Sequence, residues 1–304
     1  MPQRAPGLRL SAGDWGRLVV LSVLWGGSFF FMGVAVTGLP PFTIVLCRIG
    51  LAALVLNAVV LLSGQRLPTD PARWRIFLTM GFFNNLLPFS LIVWGQTQIP
   101  SGLAAILNAT TPLFTALVAQ IATSDERLTP PKIAGLLLGF AGVAVLIGPN
   151  AWGGFGADLW AQAAVLGAAL SYGVSSVIGR RFGRLGVSPL QSSAGQLSAA
   201  TLFILPLALA IDHPWALPMP GVPVLAAVTG LAVVSTALAY ILFFQILASA
   251  GATNVSLVTL LVPVSALLLG ALVLGERLSW NAYAGLALIC AALLIVDGRL
   301  LKRR

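Results

Sequence analysis

The chain has 304 residues, of which 58% are hydrophobic and only 8% are charged, and its formal net charge is +9. Soluble domains carry about 25% charged residues, so this composition excludes a water-soluble globular protein and indicates an all-α integral membrane protein. The positive charge would also suit a nucleic-acid partner, but the basic residues are scattered over short loops instead of gathered on one face, which argues against nucleic acid.

The apolar runs predict ten membrane-spanning helices, because a bilayer crossing takes about 20 apolar residues. Charged, Pro and Gly residues mark the breaks between them. No small-residue cleavage site follows the first run, so we expect it to be retained and not removed as a signal peptide. In chain order the predicted spans are 17–37, 41–62, 73–96, 101–121, 131–148, 157–180, 189–211, 221–247, 253–274 and 280–298.

The basic residues predict the orientation of these spans. With ten spans and a cytoplasmic N-terminus, all 17 Lys and Arg residues except Arg48 and Arg277 fall in cytoplasmic segments. Cytoplasmic loops of membrane proteins carry such an excess of Lys and Arg, and this bias favours an even number of spans with both termini inside. We therefore expect a multi-pass protein of a bacterial-type inner (plasma) membrane.

The two halves of the chain resemble each other. Residues 126–129 (Glu-Arg-Leu-Thr) are matched by residues 276–279 (Glu-Arg-Leu-Ser) at a spacing of 150, and the apolar runs before them contain Pro112 and Pro263. An internal repeat in an apolar chain is typical of secondary transporters. Because each half holds five spans, an odd number, the halves must lie in opposite orientations, as two inverted five-helix repeats around a central site.

The repeat also predicts the domain organisation. The first copy of the Glu-Arg-Leu pattern precedes predicted span 5, and the second copy precedes predicted span 10. We expect a cytoplasmic N-terminal segment, a first repeat, a linker, a second inverted repeat and a basic cytoplasmic tail, at residues 1–16, 17–148, 149–156, 157–298 and 299–304.

These patterns resemble a known family. Ten spans in two halves, each closed by Pro…Glu-Arg-Leu-Ser/Thr…Gly, are similar to the EamA domain pair of the drug/metabolite transporter superfamily, over roughly residues 17–298. Residues 25–28 (Trp-Gly-Gly-Ser) and Arg48 also match the family pattern. Within the family, the chain is most similar to the ten-helix exporters of the YddG type, which export aromatic amino acids. The resemblance implies a central cavity lined by spans 1, 3, 4, 6, 8 and 9, with spans 5 and 10 at the periphery.

Uncharged polar and aromatic residues in these spans are the candidate cavity lining. Amides, hydroxyls and aromatic rings suit a zwitterion with an apolar side chain, although Ser and Thr in membrane helices often serve only helix packing. The candidate substrate-binding residues are Trp25, Ser28, Asn84, Asn85, Asn108, Thr111, Tyr172, Ser175, Tyr240 and Thr259.

The matching prolines are candidate hinges. Pro112 and Pro263 each lack a backbone N–H and leave a carbonyl of the same helix without its partner. Paired breaks in corresponding helices point to the moving parts of a transporter, although two static kinks would give the same pattern. Gly26 and Gly173, at matching places in the two halves, would allow close packing or gating contacts against these helices.

Charged residues inside the spans are rare. A charge such as Arg48 within a span costs at least about 2.5–3.5 kcal/mol, and its repeat partner, Gln196, keeps the hydrogen bonds without the charge. This favours a structural polar role for both residues over a functional one. The eight Asp and Glu residues lie in loops or at span ends. Proton-driven transporters generally use a buried carboxylate. The sequence therefore argues against a cation/proton antiporter and favours a facilitator without ion coupling, with Asp297 as the remaining candidate for coupling.

We therefore predict a secondary transporter that exports small metabolites, amino acids including aromatic ones first, by alternating access. The expected partners are a small-molecule substrate and the lipid bilayer, with the chain as a monomer. We expect no cofactor and no metal, because the two cysteines, Cys47 and Cys290, lie in apolar runs and are typical of small buried hydrophobes.

Two alternatives remain open at this point. The first alternative is a carrier of nucleotide sugars or drug-like compounds. A nucleotide-sugar carrier would need cations in its cavity, and only Arg48 is available. An intramembrane enzyme would need a Ser–His pair or an aspartyl dyad. His213 falls in a predicted external loop, and the spans hold no carboxylate pair.

Overall fold

The computed structural model describes residues 11–122, 129–147, 157–250, 255 and 258–297. Within these ranges every regular element is a helix and no strand occurs, so the prediction of an all-α protein is confirmed. The linker, the basic tail and residues 126–128 of the first Glu-Arg-Leu pattern lie outside the described residues.

Eight helices in the described ranges are long and apolar enough to cross a membrane. Two further apolar helices, of 16 and 18 residues, follow them along the chain. In chain order the ten are α1 Ala12–Ala35, α2 Pro41–Leu62, α3 Pro71–Gly95, α4 Ser101–Ala122, α5 Pro130–Ile147, α6 Asp158–Arg184, α7 Pro189–Asp212, α8 Val222–Leu247, α9 Val258–Val273 and α10 Trp280–Asp297.

Local signals in the sequence explain where several helices begin. The Ser11 hydroxyl accepts a hydrogen bond from the backbone N–H of Asp14, and the Ser11 backbone N–H donates to the Asp14 carboxylate; this capping box starts α1. Asp70 and Ser188 cap α3 and α7 in the same way, by accepting from the backbone three residues on. Pro41 opens α2 at a position where its missing N–H is not needed.

The helices bury their contacts with one another and leave leucines on the outside. One large cluster of buried aliphatic and aromatic side chains fills the space between the helices. On the outer surface, Leu54, Leu62, Leu137, Leu202 and Leu272 are all more than half exposed. Apolar residues that surround a bundle of apolar helices contact lipid in a membrane protein.

The pairing of helices has a regular pattern. Helix α1 packs against α8 and α9, whereas α6 packs against α3 and α4. Helix α2 packs against α7, and α5 packs against α10. If each helix is replaced by the corresponding helix of the other half (α1 by α6, α2 by α7, and so on), the same set of pairs results.

Candidate functional site

Helices α3 and α8 each contain a π-helical turn near their middle. The turns span Gly81–Leu86 in α3 and Val233–Leu238 in α8. A π turn in an α-helix is frequently found at a functional site. Here the two turns carry polar residues, Asn84 and Asn85 in α3 and Thr236 in α8. The sequence analysis predicted the polar residues but not the π turns.

Five polar side chains from four helices form a hydrogen-bonded group, which we name the amide cluster. It consists of Asn84, Asn85, Ser175, Gln196 and Tyr240. The amide nitrogens of Asn84 and Asn85 donate to the same oxygen of Gln196, at 3.0 and 3.3 Å. Ser175 donates to the Asn84 oxygen at 2.8 Å, and the Tyr240 hydroxyl donates to the Asn85 oxygen at 3.4 Å. The structure thus brings four of the candidate cavity residues together, around Gln196.

Arg48 lies beside this group and is only 6% exposed. Its Nε donates to the hydroxyl oxygen of Thr236 at 3.1 Å, and its Nη1 lies 3.5 Å from the sulfur of Met32. The guanidinium carbon lies 3.6 Å from the centre of the Phe89 ring, which is a close cation–π contact. Met32 and Phe89 belong to the helices that precede and follow α2, whereas Thr236 belongs to α8 in the other half of the chain. None of the three was predicted from the sequence as a partner of Arg48.

Aromatic residues connect Arg48 to the amide cluster. Tyr172 and Tyr240 both interact electrostatically with Arg48. Both tyrosines are partly buried. The ring of Trp25 lies 5.6 Å from that of Phe243, one helical turn from Tyr240.

Of the other candidate cavity residues, Tyr172 contacts the amide cluster through its backbone carbonyl, which accepts from the Ser175 hydroxyl at 2.9 Å. The hydroxyls of Ser28 and Thr111 instead donate to carbonyls three residues earlier in their own helices, at 2.6 and 2.7 Å. The side-chain oxygen of Asn108 is buried without a hydrogen-bond partner. Thr259 lies partly buried on α9.

The two candidate hinge prolines lie in different local structures. Helix α4 is interrupted between its segments Ser101–Asn108 and Thr111–Ala122, directly before Pro112. Pro263 lies inside α9, where the helix continues on both sides of it. The two prolines match in sequence, but only the first stands at an interruption of its helix.

Two glycines allow helices to cross closely just after these prolines. A Cβ atom on Gly26 would overlap Ser265 and lie 2.8 Å from the backbone nitrogen of Ala266, so α1 approaches α9 at this point. A Cβ atom on Gly173 would lie 3.0 Å from backbone atoms of residues 114–115 in α4. The two crossings therefore involve matching places in the two halves of the chain.

The described carboxylates lie at helix ends, and several connect distant parts of the chain. Asp212 accepts from the backbone nitrogen of Thr43 at 2.6 Å, at the start of α2. Glu276 accepts from the backbone nitrogens of Ser101 and Gly102 at 2.8 and 3.1 Å, at the start of α4. Among the described residues, no group of three or more His, Cys, Asp or Glu could hold a metal ion.

Two surface cavities lie away from the amide cluster. One, of about 420 Å³, is bordered by Gln96, Ser101 and Glu276 among others. The second, of about 460 Å³, is bordered by Arg75 and Arg181 among others. No residue of the amide cluster borders either cavity, so neither of them opens onto the buried polar site.

A bundle of apolar helices around a buried polar group defines a polytopic membrane protein with an internal site. The chain belongs to the EamA-like transporter family, whose pattern matches it twice, at residues 16–148 and 159–296. It is therefore a membrane transporter, and the resemblance found in the sequence is confirmed.

Named relatives cover nearly the whole chain. It is 28% identical over 287 residues to the uncharacterised inner membrane transporter YedA of Escherichia coli strain K12, covering 93% of this chain and 90% of that protein. It is 26% identical over 300 residues to a probable terminal-alkyne amino-acid exporter of Streptantibioticus cattleyicolor, covering 98% and 97%. One protein crystal structure aligns with a TM-score of 0.66 at 23% identity, covering 95% of this chain and 99% of that one. This last match establishes the fold alone.

Proposed function

We propose that this transporter exports small zwitterionic metabolites, amino acids including aromatic ones first, across a bacterial inner membrane by alternating access. The amide cluster is the observation that carries the proposal, because it places uncharged donors and acceptors from α3, α6, α7 and α8 in the interior of an apolar bundle. A zwitterion needs both donors and acceptors. The relative named as a probable amino-acid exporter supports the same cargo class.

Two inverted five-helix repeats are the architecture we propose for this movement. The pairing of α1 with α8 and α9, and of α6 with α3 and α4, supports it, because one set becomes the other when the halves are exchanged. Residues 48 and 196 support it too. Arg48 of α2 contacts the π turn of α8, and Gln196 of α7 contacts the π turn of α3. In such transporters, the site lies at the interface between the repeats.

Unpaired polar atoms support a role for this region in binding. The side-chain oxygens of Asn108 and Ser235 are buried and lack hydrogen-bond partners among the described residues. Leaving a buried polar atom unpaired costs about 1–3 kcal/mol, so each would gain from a ligand or a water molecule. Ser235 directly precedes Thr236, the residue that accepts from Arg48.

Flux through the purified protein in liposomes should persist without an ion gradient. Among the described carboxylates none lies in the middle of a helix, where a coupling group would be expected. The measurement is efflux of a radiolabelled panel of amino acids, nucleotide sugars and drug-like compounds, with pH and Na⁺ equal on both sides and protein-free liposomes as the control.

The outcomes of this measurement separate the alternatives. Efflux that requires a pH or Na⁺ gradient would contradict the facilitator. Efflux of nucleotide sugars or drug-like compounds alone would contradict the amino-acid cargo. Recovery of the label in unchanged chemical form distinguishes transport from an intramembrane enzyme.

The proposed orientation predicts which loops an external reagent reaches. After Cys47 and Cys290 are replaced by Ala, a membrane-impermeant thiol reagent should label Arg277→Cys in intact cells and leave Lys132→Cys unlabelled. Arg277 is exposed in the loop before α10, and Lys132 is partly exposed in the first turn of α5, so burial does not prevent labelling at either place. Labelling of both positions after membrane permeabilisation is the control. The reverse pattern in intact cells would contradict both the orientation and the inverted arrangement.

A further inference from the structure

We propose that Arg48 binds the carboxylate of the cargo and so selects acids over the corresponding neutral or amine compounds. This inference rests on the proposed amino-acid export, and it assigns to one residue the recognition of one chemical group. The sequence analysis favoured a structural role for Arg48, and its surroundings in the structure are the reason to extend that role.

Arg48 is a buried cation without a counter-charge among the described residues. Among the described residues, the ion pairs are Arg17 with Asp14 and Arg73 with Asp70, both at helix ends. No carboxylate of the described residues lies within 4.0 Å of Arg48, although this side chain is only 6% exposed. A buried charge is normally paired, because removing it from water is expensive. A cargo carboxylate would supply the missing negative charge.

Arg48 has N–H donors that its neighbours do not use. A guanidinium carries five N–H donors. Its Nε donates to Thr236, whose own proton goes to the Leu231 carbonyl at 2.8 Å, and its Nη1 meets only the weakly accepting sulfur of Met32. Among the described residues, no atom accepts a hydrogen bond from Nη2. This edge of the guanidinium is free to meet a carboxylate.

Neighbouring side chains hold the guanidinium of Arg48 in a fixed orientation. The Phe89 ring covers one face of the guanidinium at 3.6 Å, and Thr236 fixes Nε, so the group is held from two directions. Tyr172 and Tyr240 lie within electrostatic range of the same charge. The Tyr240 hydroxyl makes two long hydrogen bonds of 3.4 Å, which a shorter bond to a carboxylate oxygen would replace at little loss. A fixed cation beside phenol hydroxyls is a suitable receptor for a carboxylate.

The test compares amino acids with their own amides. An amide has nearly the same shape but lacks the negative charge. In liposomes, the unmodified protein should transport phenylalanine and leucine about ten- to hundredfold faster than phenylalaninamide and leucinamide, because hydrogen bonds to charged groups discriminate by this amount. Arg48→Gln should lower the flux of the acids and leave the amides nearly unchanged, so that the ratio approaches one. Arg277→Gln, an exposed basic position, is the matched control and should keep the original ratio.

Each outcome decides between the roles of Arg48. If Arg48→Gln leaves the ratio of acid flux to amide flux at its original value, the carboxylate role is overturned. If the unmodified protein transports acids and amides equally, this inference fails while the amino-acid cargo stands. If it transports neither, the cargo class and the inference fail together. Should Arg48→Gln not fold, Arg48→Lys carries the test. The lysine ammonium is a point charge and lacks the planar, forked donors of the guanidinium. We therefore expect Arg48→Lys to reduce the acid-to-amide flux ratio several-fold, and an unchanged ratio would contradict the inference.

Discussion

Replacing Gln196 with Leu should reduce flux by about tenfold or more and lower the unfolding temperature by about 5 °C. Gln196 is 4% exposed, and its oxygen accepts from both Asn84 and Asn85. Leucine has a similar volume but no acceptor, so Asn84 and Asn85 would each keep only a longer hydrogen bond of 3.4 Å, to Tyr240 and to the Met80 carbonyl. The loss of the better acceptor costs each of them up to about 1–3 kcal/mol. A loss of this size shifts the unfolding temperature of a large domain by several degrees.

Thermal unfolding in detergent and liposome flux per folded protein measure the two effects of this substitution. Gln98→Leu is the matched control, because Gln98 is exposed and donates only to the neighbouring Thr97 hydroxyl. Gln196→Asn should give an intermediate result, since it keeps the amide on a shorter side chain. Normal flux in Gln196→Leu would contradict the assignment of the amide cluster to the transport site.

Gly26→Ala should destabilise the protein by about 1–3 kcal/mol, the usual cost of overpacking. The new methyl group would overlap Ser265 and lie 2.8 Å from the backbone nitrogen of Ala266. Ser265 has little freedom to retreat, because its hydroxyl donates to the Ser22 carbonyl at 2.7 Å. Helix α1 would therefore have to move away from α9. Where no atom lies close to the new methyl group, Gly→Ala stabilises a helix by about 1 kcal/mol. The close crossing with α9 is therefore the reason why we expect Gly26→Ala to destabilise the protein.

A series of glycine substitutions separates this crossing from a general effect. Gly50→Ala is the matched control in a neighbouring helix, because nothing lies within 4 Å of its new methyl group. Gly173→Ala should be intermediate, since its nearest atoms lie at 3.0 Å. The expected order of unfolding temperatures is Gly26→Ala lowest, Gly173→Ala next and Gly50→Ala highest. If the glycines also serve as gating contacts, flux per folded protein should follow the same order. A Gly26→Ala variant equal to Gly50→Ala in both measurements would exclude the close crossing.

Helix positions were predictable from the sequence because apolar length and turn residues determine them locally. The predicted span 41–62 coincides with α2, and the predicted span 73–96 differs from α3 by only one or two residues at each end. Membership of the EamA-like family was also predictable, since its pattern extends over both halves. These features depend on neighbours in the sequence and not on which helices meet in space.

The composition of the site was only partly predictable, for the opposite reason. Asn84, Asn85, Ser175 and Tyr240 were candidates by their chemistry, whereas Gln196, expected to be structural, lies at the centre of their hydrogen bonds. A π turn changes which side chains face a neighbouring helix, and nothing in the apolar pattern marks its position. The neighbours of Arg48 come from three different helices, and one of them, Thr236, lies in the other half of the chain. Their identity therefore depends on the packing of the whole bundle.

The carboxylate caps have a consequence for how the chain assembles. The first backbone N–H groups of a helix have no partner within that helix. At the start of α2 and of α4, the acceptors are Asp212 and Glu276, which both belong to the second half of the chain. A fragment that ends at the linker would lack these acceptors, so the first half is not a self-sufficient folding unit. The similarity of the two halves therefore does not make them independent, because the first half completes the starts of α2 and α4 only with carboxylates of the second half.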